Sequence, residues 1–312
     1  MKRNKVLKMT GIVFLGLLVI VAALYLIYVY VPVADEPVLT SRPQQNTIMS
    51  RSFISYHPSV IKPKPALIIV LHGTNIDGAK IREWTGYEFD EMADKYGFLV
   101  AYPDGYDHDW NDCRKGLFSK TKRENVDDVG FIKAIINSYR AKFDIDKVYL
   151  FGYSSGGMMA FRIGMQEPSL IAGIATICSA LPTSETNNCT LPRKMPRMML
   201  VNGTGDPICP VNGGELNLFG KKRGHVISVQ ETAKLFANSN IAPVKTPLPH
   251  LNTEDRTSVD RYAWSADVVL FIVNNGGHVV PQPVARFPRI MGRVTADLNA
   301  PEEAVAFFGL KQ

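Results

Sequence analysis

Residues Val148 to Ala160, V-Y-L-F-G-Y-S-S-G-G-M-M-A, constrain this chain more than any others. An apolar run, Val148 to Phe151, stops at Gly152 and a helix-like stretch begins at Met158. Between them stands Gly152-Tyr153-Ser154-Ser155-Gly156, the G-x-S-x-G pattern of a nucleophile elbow, with Ser154 at its apex. Such a turn is tight enough that flanking side chains must nearly vanish, which accounts for Gly152 and Gly156. It lifts the serine hydroxyl out of the sheet edge and sets the following helix's N-terminal dipole behind it.

A serine hydroxyl is a weak nucleophile until a base takes its proton. On a sheet of this kind the partners follow in the order acid, then histidine. Only His225, His250 and His278 follow Ser154. His278 closes Asn274-Asn275-Gly276-Gly277-His278, directly after the apolar run Val268–Val273. A strand's carboxyl end is where an open α/β sheet presents its chemistry. His225 and His250 read as solvated surface residues. Asp206 ends Asn202-Gly203-Thr204-Gly205-Asp206, after the run Met198–Val201, and is the acid candidate. Asp255, Asp260 and Asp267 follow no buried run. Backbone N–H groups of Ser155 and Thr74, the latter after the Ala66–Leu71 strand, are the expected oxyanion donors. His72 reads as structural packing beside that loop.

Unbroken apolar runs at Ala66–Leu71, Phe98–Tyr102, Val148–Phe151, Ile171–Ile177, Met198–Val201 and Val268–Val273 alternate with helical periods at Ile81–Lys95, Val126–Phe143 and the elbow helix. That alternation predicts a mostly parallel sheet with helices on both faces. Arg51–His57 reads as an edge strand, and Ser228 with Glu231 as a capping box. Asn299 would cap a closing helix at Pro301–Phe308. Pro243–Asp260 reads as a short strand or lid-like loop.

The segment Met9–Ala34 carries no charge, and Gly11–Pro32 as a helix would reach about 33 Å, enough to span a hydrocarbon core. Lys2, Arg3, Lys5 and Lys8 precede it, predicting an anchor with a cytoplasmic tail at 1–8, a span at 9–34, a linker at 35–47 and a domain at 48–312 outside the cytoplasm. A cleaved signal peptide is the competing reading, and would make the domain secreted. Those four bases account for most of the formal charge of +6; 31 bases then face 29 acids, so nucleic acid is not an expected partner. The run Lys221-Lys222-Arg223 reads as a solvated basic turn, with attraction of an acidic substrate as its second reading. Cys113, Cys178, Cys189 and Cys209 fit an oxidising compartment and allow three pairings. One of them joins Cys178 to Cys189 across a short loop and leaves Cys113 with Cys209. No cysteine spacing suggests zinc, and neither metal nor cofactor is expected.

Taken together, Leu71-His72-Gly73, Gly97–Asp104, Asp144–Tyr149, Gly152–Met159, Gly203–Pro207 and Gly276-Gly277-His278 resemble, in order, the polyhydroxybutyrate depolymerase-type esterases. That group includes feruloyl and acetylxylan esterases of the α/β-hydrolase superfamily. The resemblance covers about residues 51–308 and implies an α/β-hydrolase fold with Ser154, Asp206 and His278 as a triad. It also implies a small-molecule or oligomeric ester as substrate. Two positions depart from the family's habit: Thr74 stands where cysteine is frequent and Val280 where tryptophan is frequent. Both leave the three residues intact and bear on the substrate pocket, so acyl specificity does not carry over. A peptidase on the same fold, or an anchored binding protein without activity, are the alternatives.

Overall fold

The computed structural model describes residues 2–116 and 118–311, with side chains from residue 14 onward. Ten strands form one sheet and two form a separate hairpin. In chain order the strands are β1 (Gln44–Ile48), β2 (Arg51–Tyr56), β3 (Leu67–Leu71), β4 (Leu99–Pro103), β5 (Val148–Tyr153) and β6 (Gly173–Ile177). Then come β7 (Arg197–Gly203), β8 (Gly214–Leu218), β9 (Lys221–Val226), β10 (Val244–Pro247), β11 (Ser258–Ala263) and β12 (Val268–Asn274). The sheet order is β1-β2-β4-β3-β5-β6-β7-β12-β11-β10, with every neighbour from β4 to β12 parallel. Antiparallel pairs close both sides.

The apolar runs explain the burial. Side chains alternate across a strand, so a strand covered on both faces must be apolar throughout. Leu67, Ile69 and Leu71 enter one core with the helices Asp128–Phe143 and Ser155–Gln166. Ile68 and Val70 enter the other, with Ile81, Phe89 and the closing helix Ala300–Phe307. Ser228 and Glu231 form the expected capping box. The side chain of Asn299 accepts from Glu302 N–H.

Several expectations are revised. The helical period at Ile81–Lys95 is two helices, Gly78–Trp84 and Glu88–Tyr96, because Gly86 (φ 68°) and Tyr87 (φ 59°) turn left-handed between them. The strand at 51–56 is not an edge: Gln44–Ile48, which crosses the expected boundary between linker and domain, pairs outside it. The upstream part of that segment is docked, with Glu36 paired to Arg82 and Thr40 N–H donating to Asp94 at 2.8 Å. Pro243–Asp260 holds β10 and the start of β11.

An N-terminal helix runs from Lys2 to Tyr28, so it ends short of the expected boundary at Ala34. Among the described residues no helix is long and apolar enough to cross a membrane. The side chains of residues 1–13, which include the expected tail and the start of the expected span, lie outside the described residues.

Candidate active site

The elbow is built by close backbone approach. A Cβ on Gly152 would collide with the backbone of Gly156, and one on Gly156 with the carbonyls of Leu71 and His72. The turn is therefore pressed against the end of β3. Ser154 takes φ 55° and ψ −120°, a strained conformation that β6 holds through Ser154 N–H donating to Ile177 O at 2.9 Å.

A second close approach positions Asp206 and His278. A Cβ on Gly203 would run into the backbone of Gly276 and Gly277, so the loop after β7 packs directly on the loop after β12. Gly205 N–H donates to Gly276 O at 2.9 Å, and Asn275 N–H to Thr204 Oγ1 at 2.8 Å. Across this clamp His278 Nδ1 lies 2.7 Å from Asp206 Oδ2, and His278 Nε2 lies 2.9 Å from Ser154 Oγ. Asp206 Oδ1 accepts from the N–H groups of Ile208 and Cys209, both at 2.8 Å. A carboxylate only accepts, so Nδ1 carries the proton and the neutral ring offers Nε2 to the serine hydroxyl. The Asp206 side chain is fully buried and that of His278 is 3% exposed, which shields the pair from water.

The loop after β3 completes the arrangement. A Cβ on Gly73 would lie 3.3 Å from Ser154 Cβ, so the chain entering Thr74 runs beside the serine. Among the described residues, the N–H groups of Thr74 and Ser155 donate to no partner. Buried or half-buried amides left unpaired are uncommon and mark a place for an anion. His72 is fully buried, accepts from Gly105 N–H at Nε2 (2.8 Å) and donates from Nδ1 to Gly73 O (2.7 Å). Burial pushes it down to about 4, so it stays neutral and structural. Thr74 Oγ1 donates to Asp109 Oδ1 at 3.1 Å.

Beneath the histidine, Tyr153 Oη donates to His278 O at 2.8 Å and Cys178 Sγ to Val279 O at 3.5 Å. Cys178, Asp206 and His278 bring one ligand-type atom each within 4.8 Å of one another. Burial, then the Asp206 charge, pushes the Cys178 thiol well above its ordinary range, while Nδ1 and Oδ2 are committed to each other. That chemistry suits a protonated support under the histidine better than a metal ligand.

The cysteines pair otherwise than in the short-loop arrangement. The disulfide joins Cys113 to Cys189, and Cys178 and Cys209 are buried thiols. Cys178 directly follows β6 and points under the histidine, whereas Cys113 and Cys189 lie on loops that meet through the bridge of Arg114 to Asn187. His225 and His250 are both exposed as expected, and His250 is paired with Asp297 at 2.7 Å. The hairpin β8–β9, where the sequence reading places no strand, roofs the site. Ser154, His278, Thr74, Leu216, Leu218 and Arg223 line a narrow cavity of about 20 Å³. A groove of about 800 Å³ lies at the opposite, amino-terminal ends of β6, β7 and β12, far from these groups.

A family model described as alpha/beta hydrolase fold matches residues 67–210, which hold β3, β5 and the elbow. The chain has the α/β-hydrolase fold. The acetyl xylan esterase from Aspergillus awamori superposes on this α/β-hydrolase with a TM-score of 0.58 at 15% identity, covering 86% of this chain and 100% of that one. “Putative esterase NocK” of Nocardia uniformis subsp. tsuyamanensis is 25% identical over 266 residues, 80% of this chain and 75% of the relative. Feruloyl esterase B of Neurospora crassa is 32% identical over 153 residues, 43% of this chain and 50% of that protein. The chain thus spans three quarters of the first relative and half of the second. The poly(3-hydroxybutyrate) depolymerase of Ralstonia pickettii is also similar. Fold and relatives together place this α/β-hydrolase among the carboxylic ester hydrolases, as the motif resemblance implies.

Proposed function

We propose that the chain hydrolyses carboxylic esters through an acyl-enzyme on Ser154. The reading is carried by one observation, the continuous array from Ser154 Oγ through the His278 ring to Asp206 at 2.9 and 2.7 Å. Ser154 attacks the ester carbonyl while His278 Nε2 takes its proton. Asp206 keeps the proton on Nδ1 and stabilises the imidazolium that forms. The N–H groups of Thr74 and Ser155 receive the oxyanion, each contributing on the order of 3 kcal/mol. His278 then protonates the departing alcohol. A water, deprotonated by the same Nε2, attacks the acyl carbon; the bond from that carbon to Ser154 Oγ breaks, His278 returns the proton to Oγ, and the acid leaves. The substrate is a small or oligomeric ester, and no step calls for a cofactor.

The Cys113–Cys189 disulfide supports a place outside the reducing cytoplasm. The uncharged stretch behind four basic residues supports an N-terminal membrane anchor. The test is turnover of a short p-nitrophenyl ester by Ser154→Ala. A fall of at least about 10⁴-fold in kcat is expected for a lost nucleophile; retained turnover rejects the assignment.

A further inference from the structure

The roof of the site carries a charge that no protein group fully answers. Lys221 and Lys222 are exposed, as a basic turn should be, but Arg223 turns inward and its side chain is only 12% exposed. Among the described residues its guanidinium has one polar partner, Asp109 Oδ2 at 3.4 Å. A guanidinium has five N–H donors, and a nearly buried one is ordinarily saturated with acceptors.

The neighbours do not supply them. Arg114 and Lys122 already share Asp112: Arg114 Nε lies 3.0 Å from each of its oxygens, and Lys122 Nζ 3.0 Å from Oδ1. Asp109 spends its other oxygen on Thr74 Oγ1 at 3.1 Å and Trp110 N–H at 3.0 Å. Arg114, Lys122 and Arg223 crowd one ring, Phe118, at 4.8, 5.2 and 5.5 Å. Three cations thus meet two carboxylates, and the cation in excess borders the cavity that holds Ser154 and His278. Burial and the charge of Arg114 push Arg223 below its ordinary range, opposed by Asp109.

Resting on the esterase reading above, we propose that Arg223 receives a carboxylate of the substrate, so that this enzyme prefers esters carrying a negative charge near the scissile bond. The guanidinium binds a carboxylate through two parallel hydrogen bonds. Asp109 joins Arg223 to Thr74, so the residue that senses the charge is linked to the loop that holds the oxyanion donor.

The test compares two matched pairs of esters. In the first the charge is on the acyl side: mono-p-nitrophenyl adipate against its methyl ester. In the second it is on the alcohol side: 3-acetoxybenzoate against methyl 3-acetoxybenzoate. The wild-type enzyme is expected to show a charged-to-neutral ratio of kcat/KM of at least threefold for one pair. Arg223→Gln is expected to lower that ratio tenfold or more. Arg223→Lys, which keeps the charge but loses the fork, is expected to lower it by a smaller factor and decides the matter if the glutamine variant does not fold. A wild-type ratio at or below one for both pairs, or a ratio that neither substitution moves beyond twofold, overturns the proposal. Hydrolysis of the neutral esters without charge preference removes this inference and leaves the esterase reading standing. Failure to hydrolyse any of the four removes both.

Discussion

His72 shows how one side chain can hold a site without touching the chemistry. Its two ring nitrogens are committed to Gly105 N–H and Gly73 O, tying the loops after β4 and β3 to each other. Its ring lies 4.9 Å from that of Trp110. Held down to about 4 when folded, it takes up its proton later than in the unfolded chain, where the ordinary value is 6.5. The stability this confers is complete above pH 6.5 and is lost as pH falls toward 4. Between pH 7 and pH 5 the loss is about 2 kcal/mol. Urea titrations at the two pH values should show wild type losing about that much more than His72→Gln; equal losses would mean that the ring is not held neutral. Glu88 and Asp90, raised by burial to about 7 and 6, act in the opposite sense and cancel in this comparison. Ser154, Asp206 and His278 were legible at this scale because each ends a buried apolar run, and strand ends at one rim converge whatever lies between them. Arg223 was not, since a basic residue beside two solvated lysines carries no mark of facing inward.

At the scale of elements, two loops press together at Gly203 and Gly276, and that contact sets the separation of Asp206 from His278. Gly203→Ala adds a methyl where the Gly276 and Gly277 backbones already stand. The loops must part, and kcat/KM should fall on the order of 10²-fold, as expected for a displacement near 1 Å. A variant with wild-type kcat/KM would show that the clamp does not set the geometry. The parallel strands were readable from their continuous apolar runs. Less of the chain was readable where alternation is absent. The hairpin β8–β9, E-L-N-L-F-G-K-K-R-G-H from Glu215, alternates only over Glu215–Leu218, and its second strand, Lys221–Val226, is polar up to its last residue. Gln44–Ile48 is too polar to distinguish from a linker, yet as an outermost strand it needs no apolar inner face. Gly86 alone would be tolerated in a helix; the left-handed Tyr87 beside it makes the break.

For the whole molecule, the Cys113–Cys189 disulfide closes a loop with a sequence separation of 76 and joins the loop after β4 to the loop after β6. Chain entropy gives such a link about 4 kcal/mol. Cys113→Ser should lower the unfolding midpoint accordingly. Thiol titration should find no reactive cysteine in the native protein, two after denaturation and four after reduction. Peptides linking Cys178 to Cys189 would contradict this pairing. The choice among three pairings was closed to sequence because it depends on which loops meet over the sheet, and Cys178 is withdrawn beneath His278 instead.

The central claim is that Ser154 is made nucleophilic by His278 and Asp206. Labelling the intact protein with a fluorophosphonate and mapping the adduct by mass spectrometry tests it most directly. A single adduct on Ser154 is predicted, absent in Ser154→Ala and slowed on the order of 10³-fold or more in His278→Ala. No adduct, an adduct elsewhere, or undiminished labelling without His278 would contradict it.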